Sequence, residues 1–379
     1  MKILAIETSC DDTALAIADF DKKSSDFKIL SSAVSSQIEI HKKWGGVYPT
    51  LARREHQKNL TIVLKKVLKD ANLLKSKKIN ISLNSIEKIL EREQTLLPKL
   101  KSFLKQYQKP DIDCIAVTYG PGLEPCLWTG VNFARALSLI WKIPIIPINH
   151  IEGHLFANFL SVPKRFNTIK FPAIFLIVSG GHTQLILVKK LGDYKIIGET
   201  RDDAAGEAFD KIARVIGLPY PGGPAISQAA KESKKNFISL PRPMINSKDF
   251  DFSFSGLKTA VLYDARKRKL TKSYTRAMAH ESQQAIIDVL AKKTLSVAIK
   301  LNAKTIILGG GVAANKKLQE LVAKKVFESK KHFDLLIPDV KLCTDNAQMI
   351  ALTACYYLSK NAKIRNWKSI KAEANLTIG

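Results

Sequence analysis

The sequence predicts an α/β protein built from two similar domains, and three observations support this. First, residues 2–18 and residues 171–188 both have the pattern of an apolar strand, a short polar turn and a second apolar strand. Second, each half has a later apolar strand that runs into glycines, at residues 120–122 (GPG) and residues 309–311 (GGG). Third, apolar residues three and four apart, as in residues 60–71, predict core-facing helices between the strands. A duplicated α/β domain with a cleft between the halves is the simplest interpretation.

The domain boundary is predicted near residues 163–172. This gives a first domain over residues 1–165 and a second over residues 166–379, with a C-terminal helix able to pack back on the first. Residues 75–109 are rich in lysine, serine, asparagine and glutamine and lie between a completed helix and the next strand. That composition predicts an inserted helical hairpin on the surface of the first domain.

Composition narrows the possible classes of function. The chain has 379 residues, 46% of them hydrophobic, and 60 Lys+Arg against 34 Asp+Glu give a net charge of +26. This charge favours a polyanionic partner such as nucleic acid, although lysines on solvated helix faces would give the same balance. The five cysteines lie far apart without a C-x-x-C pair, which argues against a zinc ribbon or disulfide framework and fits a reducing cytoplasm. We expect no signal peptide and no membrane span, because long apolar stretches are missing from the sequence.

Two histidines one helical turn apart are the main candidate for a metal site. In the segment HIEGH, His150 and His154 lie on one face of a helix, whereas Glu152 lies off that face. The segment therefore differs from the zinc-protease motif H-E-x-x-H, in which the glutamate directly follows the first histidine. Asp345, on a polar turn before an apolar helix, is the best candidate for a third ligand, and two histidines with one carboxylate suit Fe(2+) or another divalent ion. The alternative is a pair of core or capping histidines, with Asp345 as a helix N-cap.

Turns made of small residues are candidates for binding phosphate or carboxylate oxygens, because glycine lets backbone N–H groups approach a ligand closely. They lie at residues 8–9, 179–181 and 309–311. The segment GGGVAA fits the dinucleotide pattern G-x-G-x-x-A, but it lies near the end of the chain rather than in a first βαβ unit. Acidic residues cluster near these turns. They would either hold a metal-bound nucleotide or be solvated on the surface. They are Asp11, Asp12, Asp202, Asp203, Glu207, Asp210, Asp249 and Asp251.

Taken together, these motifs resemble one family, the bacterial-type tRNA N6-adenosine threonylcarbamoyltransferases, once described as O-sialoglycoprotein endopeptidases. The matching segments follow the family's order over nearly the whole chain apart from the lysine-rich stretch. They are IETSCDDT (6–13), HIEGH (150–154), LIVSGGHTQL (176–185), RDDAAGEAFDK (201–211), LPYPGGPAI (218–226), FSFSGLKTAV (252–261), GGGVAAN (309–315) and CTDNAQMIA (343–351). The resemblance implies duplicated actin/Hsp70/sugar-kinase-like (ASKHA) domains.

The resemblance also implies roles for particular residues. His150, His154 and Asp345 would bind the metal and act in catalysis through it. The adenylate and the threonylcarbamoyl group would be bound by a second set: Ile177, Val178, Ser179, Gly180, Gly181, Asp210, Gly223 and Asn315. One departure concerns the GPG loop, which continues as Glu124-Pro125-Cys126 where small and aliphatic residues are usual.

The activity that the resemblance implies is transfer of a threonylcarbamoyl group from L-threonylcarbamoyl-AMP to N6 of the adenosine 3′ of the anticodon. The tRNAs are those that read ANN codons, and AMP is released. The implied cofactor is one divalent ion per subunit, Fe(2+) ahead of Zn or Mg. The implied partners are tRNA, an inactive paralogue (TsaB-like), a P-loop ATPase (TsaE-like) and a separate synthase that supplies the donor. The competing interpretations are a metal-dependent glycoprotease, an ASKHA-type phosphotransferase or ATPase, and a tRNA-binding scaffold without catalysis.

Overall fold

The computed structural model describes residues 1–24, 26–77, 82–160, 169–233, 237–361 and 364–379. The strands in these ranges are β1 Lys2–Glu7, β2 Asp12–Phe20, β3 Phe27–Ser36, β4 Cys114–Gly120, β5 Ile145–Asn149, β6 Ala173–Val178, β7 Thr183–Lys190, β8 Asp193–Glu199, β9 Thr305–Gly309 and β10 Asp334–Leu336. The helices are α1 Ile38–Lys42, α2 Pro49–Asp70, α3 Leu96–Gln106, α4 Glu124–Trp141, α5 His150–Phe156, α6 Ala205–Val215, α7 Gly222–Lys231, α8 Ser255–Arg266, α9 Lys272–Lys300, α10 Lys316–Glu328, α11 Val340–Cys343 and α12 Ala347–Ser359. In this part of the chain, no helix is both long enough and apolar enough to cross a bilayer.

The strands form two five-stranded sheets with the same order, β3-β2-β1-β4-β5 and β8-β7-β6-β9-β10. In each sheet the first three strands in sequence pair antiparallel, and the last two join parallel to the first. The four-residue turn at residues 8–11 therefore corresponds to the turn at residues 179–182. The predicted duplication is confirmed.

Contacts divide the chain into two compact units. The first contains Met1–His41, Val47–Arg165 and Asp345–Thr377, and the second contains Lys42–Gly46, Phe166–Thr344 and Ile378–Gly379. Residues 345–377, which the sequence had assigned to the second domain with a returning helix, thus cluster with the first unit, where α12 packs on β1 and β2. Residues 161–168, on which much of the predicted boundary falls, lie outside the described residues.

The central strand of the first sheet is buried on both faces. Leu4 and Ile6 of β1 belong to an apolar cluster with side chains of α2 and α4. Because successive side chains of a strand point to opposite faces, Ile3 and Ala5 face the other way, where α12 contacts the sheet. The continuous apolar run of β1 is what a strand covered on both faces requires.

Within its described residues, the lysine-rich stretch at residues 75–109 forms no helical hairpin, so that part of the prediction was wrong. Its described part contains one α-helix, α3, preceded by a 3-10 turn at Asn84–Ile86, while residues 78–81 lie outside the described ranges. Because the stretch is rich in lysine, its apolar residues were not recognised as a set that is spaced to face inward. The buried members, which belong to the core of the first unit, are Leu83, Ile86, Leu90, Leu96, Leu100, Phe103 and Leu104.

Candidate metal centre and substrate turns

The predicted histidine pair lies on a short helix that begins where β5 ends. The side-chain Oδ1 of Asn149 accepts hydrogen bonds from the N–H groups of Ile151 and Glu152, at 2.9 and 3.2 Å, and so caps α5. His150 is the first residue of this helix, and the ring centroids of His150 and His154 are 4.7 Å apart. Gly153 lies between them.

That glycine allows α5 to lie close to α12. A Cβ atom added at Gly153 would stand 2.9 Å from Cδ1 of Ile350 and 3.2 Å from Cγ of Met349, both on α12. A larger residue would require the side chain of Ile350 or Met349 to move. Asp345 lies two residues before α12, so this close packing lies next to the carboxylate.

Asp345 completes the group that the sequence predicted. Its Oδ1 lies 3.6 Å from Nε2 of His150 and 3.3 Å from Nε2 of His154. Ligand atoms that share one ion at about 2.1 Å are themselves about 3 to 3.5 Å apart. The N-cap of α12 is Asn346, whose side chain accepts the N–H of Met349, so the alternative role of Asp345 as the helix cap was wrong.

A carboxylate that sequence reasoning missed orients His150. Glu7, at the end of β1, places Oε2 3.1 Å from Nδ1 of His150, and Oγ of Ser9 lies 3.2 Å from the same nitrogen. Glu7 also accepts hydrogen bonds from the Thr118 hydroxyl and the Ser9 N–H, which hold the carboxylate in place. This arrangement favours a proton on Nδ1 and leaves Nε2, which faces Asp345, as the nitrogen available to a metal.

The electrostatics of the group suit a cation. Burial opposes the charged form of His150, but Glu7 and Asp345 raise its pKa to about 9, and burial lowers the pKa of His154. Both ring nitrogens of His154 are buried and, within the described residues, form no hydrogen bond. A divalent ion would replace the proton on His150 and satisfy Nε2 of His154, so these residues fit a metal.

Two further carboxylates add to the negative charge around Asp345. Burial, together with the charge of Asp345, raises the pKa of Asp11, and burial raises the pKa of Asp12 to about 7. Oδ1 of Asp12 is buried and forms no hydrogen bond within the described residues. A cation near these acids would relieve their mutual repulsion.

In the second unit, the turn from Ser179 to His182 presents open backbone. The Ser179 N–H donates to the His182 carbonyl at 2.8 Å, and the His182 N–H donates to Oγ of Ser179 at 3.1 Å. Within the described residues, the N–H groups of Gly180 and Gly181 form no hydrogen bond. A Cβ atom at either glycine would meet nothing within 4 Å, so two donors and empty space lie side by side.

The comparisons with known proteins bear on this geometry. A family model described as tRNA N6-adenosine threonylcarbamoyltransferase matches residues 28–82 and 91–352. The chain belongs to this family. Relatives of that name include one from Thermosipho africanus, 44% identical over 378 residues and covering 100% of both chains. Another, from Fusobacterium nucleatum, is 42% identical and covers 96% of this chain and 93% of its own.

A solved structure supports the fold. Full-length HypF in its phosphate- and nucleotide-bound form aligns with a TM-score of 0.51 and 12% sequence identity. The alignment covers 97% of this chain and 47% of that one. Together with the two equivalent sheets, this likeness gives duplicated actin-like domains, as the sequence predicted.

The other residues of the second unit to which the resemblance assigned substrate binding have definite neighbours. The Asp210 carboxylate accepts the N–H of Gly222 at 2.6 Å, at the start of α7, and the adjacent Gly223 has open space where a Cβ would lie. The side chains of Ile177 and Val178 are fully buried, so their backbone atoms are the parts able to reach a ligand.

Asn315 is held by two residues that sequence reasoning did not identify. Its Nδ2 donates to Oγ of Ser227 at 3.1 Å and to Oε1 of Gln283 at 2.9 Å. Its Oδ1 accepts the N–H groups at the start of α10. Ser227 and Gln283 lie far from Asn315 in sequence, and no motif there indicates this network.

The GPG loop of the first unit differs from the open turns of the second. The Gly122 N–H donates to the Ala374 carbonyl at 3.1 Å, and the Leu123 N–H donates to the Ser9 carbonyl at 2.8 Å. The chain itself therefore uses these donors. Glu124 and Pro125 form the first turn of α4, where an acidic residue and a proline both favour helix initiation.

Proposed function

We propose that this chain transfers the threonylcarbamoyl group of L-threonylcarbamoyl-AMP to N6 of the adenosine 3′ of the anticodon in tRNAs that read ANN codons. AMP is the other product. The observation that carries the proposal is the meeting of His150, His154 and Asp345 around a space that suits one cation. A relative that matches over the full length of the chain carries the name of this reaction.

The reaction depends more on positioning the two reactants than on activating them. The N6 amine attacks the carbamoyl carbon of a mixed anhydride, the bond from that carbon to the phosphate oxygen breaks, and the amine loses a proton. Because AMP leaves readily, correct placement of the two reactants supplies much of the rate enhancement. An ion held by the two histidines and Asp345 would supply a Lewis acid for the developing oxyanion.

Residues of the chain itself have distinct tasks in this proposal. Glu7 keeps the proton of His150 on Nδ1 and so keeps Nε2 available as a ligand. The N–H groups of Gly180 and Gly181 donate to charged oxygens of the adenylate. Asp210, Gly223 and Asn315 contribute to the same binding surface, and Ile177, Val178 and Ser179 contribute through the strand end and the turn that follows it.

We propose Fe(2+) as the ion. Two imidazoles and one carboxylate with open coordination positions are typical of iron(II), and zinc accepts the same ligands. Magnesium is less suitable because it prefers oxygen ligands and retains its water. Metal analysis of protein purified without oxygen, by mass spectrometry, distinguishes the three.

The proposed setting is the cytoplasm, with tRNA as substrate. The proposed partners are the TsaB-like inactive paralogue and the TsaE-like P-loop ATPase, and a separate synthase supplies the donor. Adding the two partner proteins to a reaction with purified donor should raise turnover. Equally fast turnover by this chain alone would contradict the proposed partnership.

The main experiment removes the metal ligands. The variant His150→Ala with His154→Ala should lose bound metal and lower transfer of the group to unmodified tRNA by at least about a thousand-fold, as expected when a metal Lewis acid is removed. His332→Ala, which alters an exposed histidine of the second unit, is the control and should keep both properties. Circular dichroism establishes that each variant is folded. Normal transfer by a folded double variant without metal would disprove the metal assignment.

The competing functions have less support. In a metalloprotease, Glu152 would have to act as a base near the ion, but its Oε1 accepts a hydrogen bond from the Tyr357 hydroxyl at 2.7 Å. A sugar kinase has no evident use for the paired histidines, and fold by itself does not decide function. Assays for glycoprotein cleavage and for ATP-dependent sugar phosphorylation should both be negative.

A further inference from the structure

The connection between α8 and α9 carries a concentration of positive charge that no proposed site uses. Residues 266–272 read RKRKLTK, so five of seven consecutive residues are cationic. We extend this segment at its N-terminal end to Tyr263 and call residues 263–272 the basic turn. Apart from Asp264, no acidic residue occurs between residues 258 and 276.

The basic turn is held in a defined shape. The Tyr274 hydroxyl donates to Oδ1 of Asp264 at 2.8 Å, and Nε of Arg268 pairs with the same oxygen at 3.1 Å. Oγ1 of Thr271 accepts the Tyr274 N–H at 3.2 Å and caps α9. The single acid of this segment is therefore already engaged by the interactions that shape the turn.

The remaining cations are not neutralised. Within the described residues, no ion pair is formed by Arg266, Lys267, Lys269 or Lys272. The lysines of α10 are different, because Lys317 pairs with Glu320 at 2.8 Å and Lys324 with Glu328 at 3.7 Å. Two of the four lysines of α10 are thus paired, whereas four of the five cations at residues 266–272 have no acidic partner within the described residues and are available to an external anion.

Helix stability accounts for only some of these charges, because Arg266 lies in the last turn of α8, where the helix dipole favours a cation. Lys272 is the first residue of α9, and the first turn of this helix contains no acidic residue. A cation at a helix N-terminus is unfavourable because the helix dipole is positive there. The helix dipole therefore does not stabilise Lys272, whose charge is available to an external anion.

An exposed aromatic ring accompanies the cations. The side chain of Tyr263 is 57% exposed and lies one helical turn before Arg266 and Lys267, on the same face of α8. Arginine and tyrosine side by side can stack on unpaired bases while neighbouring lysines bind phosphates. This pairing favours RNA over an acidic protein or an anionic membrane.

We propose that the basic turn binds the phosphate backbone of the tRNA substrate and that Tyr263 stacks on an unpaired base. This inference rests on the proposed function, because it takes tRNA as the polyanion. The interaction supplies affinity rather than chemistry. Removal of the turn's charge should therefore raise the KM for tRNA and leave kcat unchanged.

The test replaces the unpaired cations in the complete protein, in a transfer reaction that contains its partners. The turn variant is Arg266→Gln, Lys267→Gln, Lys269→Gln and Lys272→Gln. The control variant removes the same charge from another surface of the second unit and is Lys324→Gln, Lys325→Gln, Lys330→Gln and Lys331→Gln. We expect the turn variant to raise the KM for tRNA about ten-fold or more at about 0.1 M salt, because each phosphate interaction that is removed weakens binding several-fold. The control should change KM less than about three-fold, since its lysines do not bind phosphate in this proposal.

Salt dependence and the aromatic residue give independent measurements. The slope of log KM against log salt concentration should fall by about one for each phosphate that the turn variant no longer binds. Tyr263→Ala should raise KM several-fold, whereas Tyr263→Phe, which keeps the stacking ring, should not. Equal KM values for the turn and control variants would overturn the inference.

The outcomes separate this inference from the proposed function. If the unaltered protein shows no transfer, the proposed function fails, and direct tRNA binding by fluorescence anisotropy decides on the basic turn. If the turn variant binds and uses tRNA normally but loses binding to phosphatidylserine vesicles, the turn is a membrane-binding surface and the inference is wrong. If it loses only capture of an acidic protein, the inference is equally wrong.

Discussion

The two five-stranded sheets share a strand order but carry different chemistry at corresponding positions. The turn after β1 and the helix after β5 supply Ser9, His150 and, with Glu7, a buried network of charged and polar side chains. The corresponding turn after β6 contains Gly180 and Gly181, whose N–H groups form no hydrogen bond among the residues that the structure describes. At this position one copy of the scaffold presents buried side chains, and the other presents open backbone.

The glycines of the two units show the same contrast. In the first unit, a Cβ at Gly122 would lie 2.6 Å from the Ser9 carbonyl oxygen, so the chain fills the space around the loop. In the second unit, Gly180, Gly181, Gly223 and Gly311 all face open space. Gly122 therefore serves internal packing, whereas these four glycines of the second unit leave space that a ligand could enter.

The largest effect that would test this contrast is expected at Gly310. Its φ of +86° and ψ of 163° lie where other residues are strained, and an added Cβ would stand 2.4 Å from the Val178 carbonyl oxygen. Gly310→Ala should reduce the free energy of unfolding by about 3 kcal/mol, measured by denaturant titration. Gly311→Ala, with nothing near its Cβ, should change stability by less than about 0.5 kcal/mol and weaken adenylate binding. Unchanged adenylate binding by the Gly311→Ala protein would show that the space at Gly311 has no functional meaning.

Much of this contrast could be predicted from the sequence, and the remainder depended on tertiary structure. Strands with continuous apolar runs, such as β1 and β6, were evident, but the half-exposed edge strands β3 and β8 were not, because their polar and apolar residues are mixed. The spacing of His150 and His154 indicated one helix face. The partner of His150, however, is Glu7, which lies 143 residues away and is revealed only when β1 and α5 meet.

The next effect concerns that partner. In Glu7→Gln, the new amide N–H₂ can donate to Nδ1 of His150, which would move the ring proton to Nε2 and remove the ligand lone pair. Metal affinity and transfer should each fall about ten- to a hundred-fold. The measurements are metal titration with a chelator competitor and modified nucleoside by mass spectrometry.

Glu93→Gln is the matched control for this change. Glu93 is also buried in the first unit, but it accepts its hydrogen bonds from Gln57 and Arg53 rather than from a candidate ligand. The control should lose stability and keep metal affinity. If both variants lost metal affinity equally, the carboxylate of Glu7 would have only a structural role.

A smaller effect is expected from the buried polar residue His56 of the first unit, whose contribution to stability should depend on pH. His56 is buried, donates from Nε2 to the Cys10 carbonyl at 2.9 Å, and lies 2.7 Å from the Thr13 hydroxyl through Nδ1. Burial lowers the pKa of His56 from its ordinary value of 6.5 to about 4, so folding favours the neutral ring. The resulting stability is complete above about pH 6.5 and is lost as the pH falls toward about 4.

The expected size follows from the two pKa values. Between about pH 7.5 and about pH 5, the stability of the unaltered protein relative to His56→Gln should fall by about 2 kcal/mol. Other groups, such as Asp12, titrate in both proteins, so their contributions to stability cancel in this difference. A constant difference across this range would mean that His56 titrates normally in the folded state.

The smallest effect is expected at Glu152, which lies between the histidines in sequence but off their face. Its Oε1 accepts the Tyr357 hydroxyl hydrogen, and burial raises the pKa of that hydroxyl, so Tyr357 remains a neutral donor to it. The amide oxygen in Glu152→Gln can accept the same hydrogen bond. Metal content and transfer should therefore stay within about three-fold of the unaltered protein. A hundred-fold loss of activity with metal still bound would mean that Glu152 acts on the substrate, as the glycoprotease interpretation requires, and that the side-chain chemistry of the first unit extends beyond the metal ligands and Glu7.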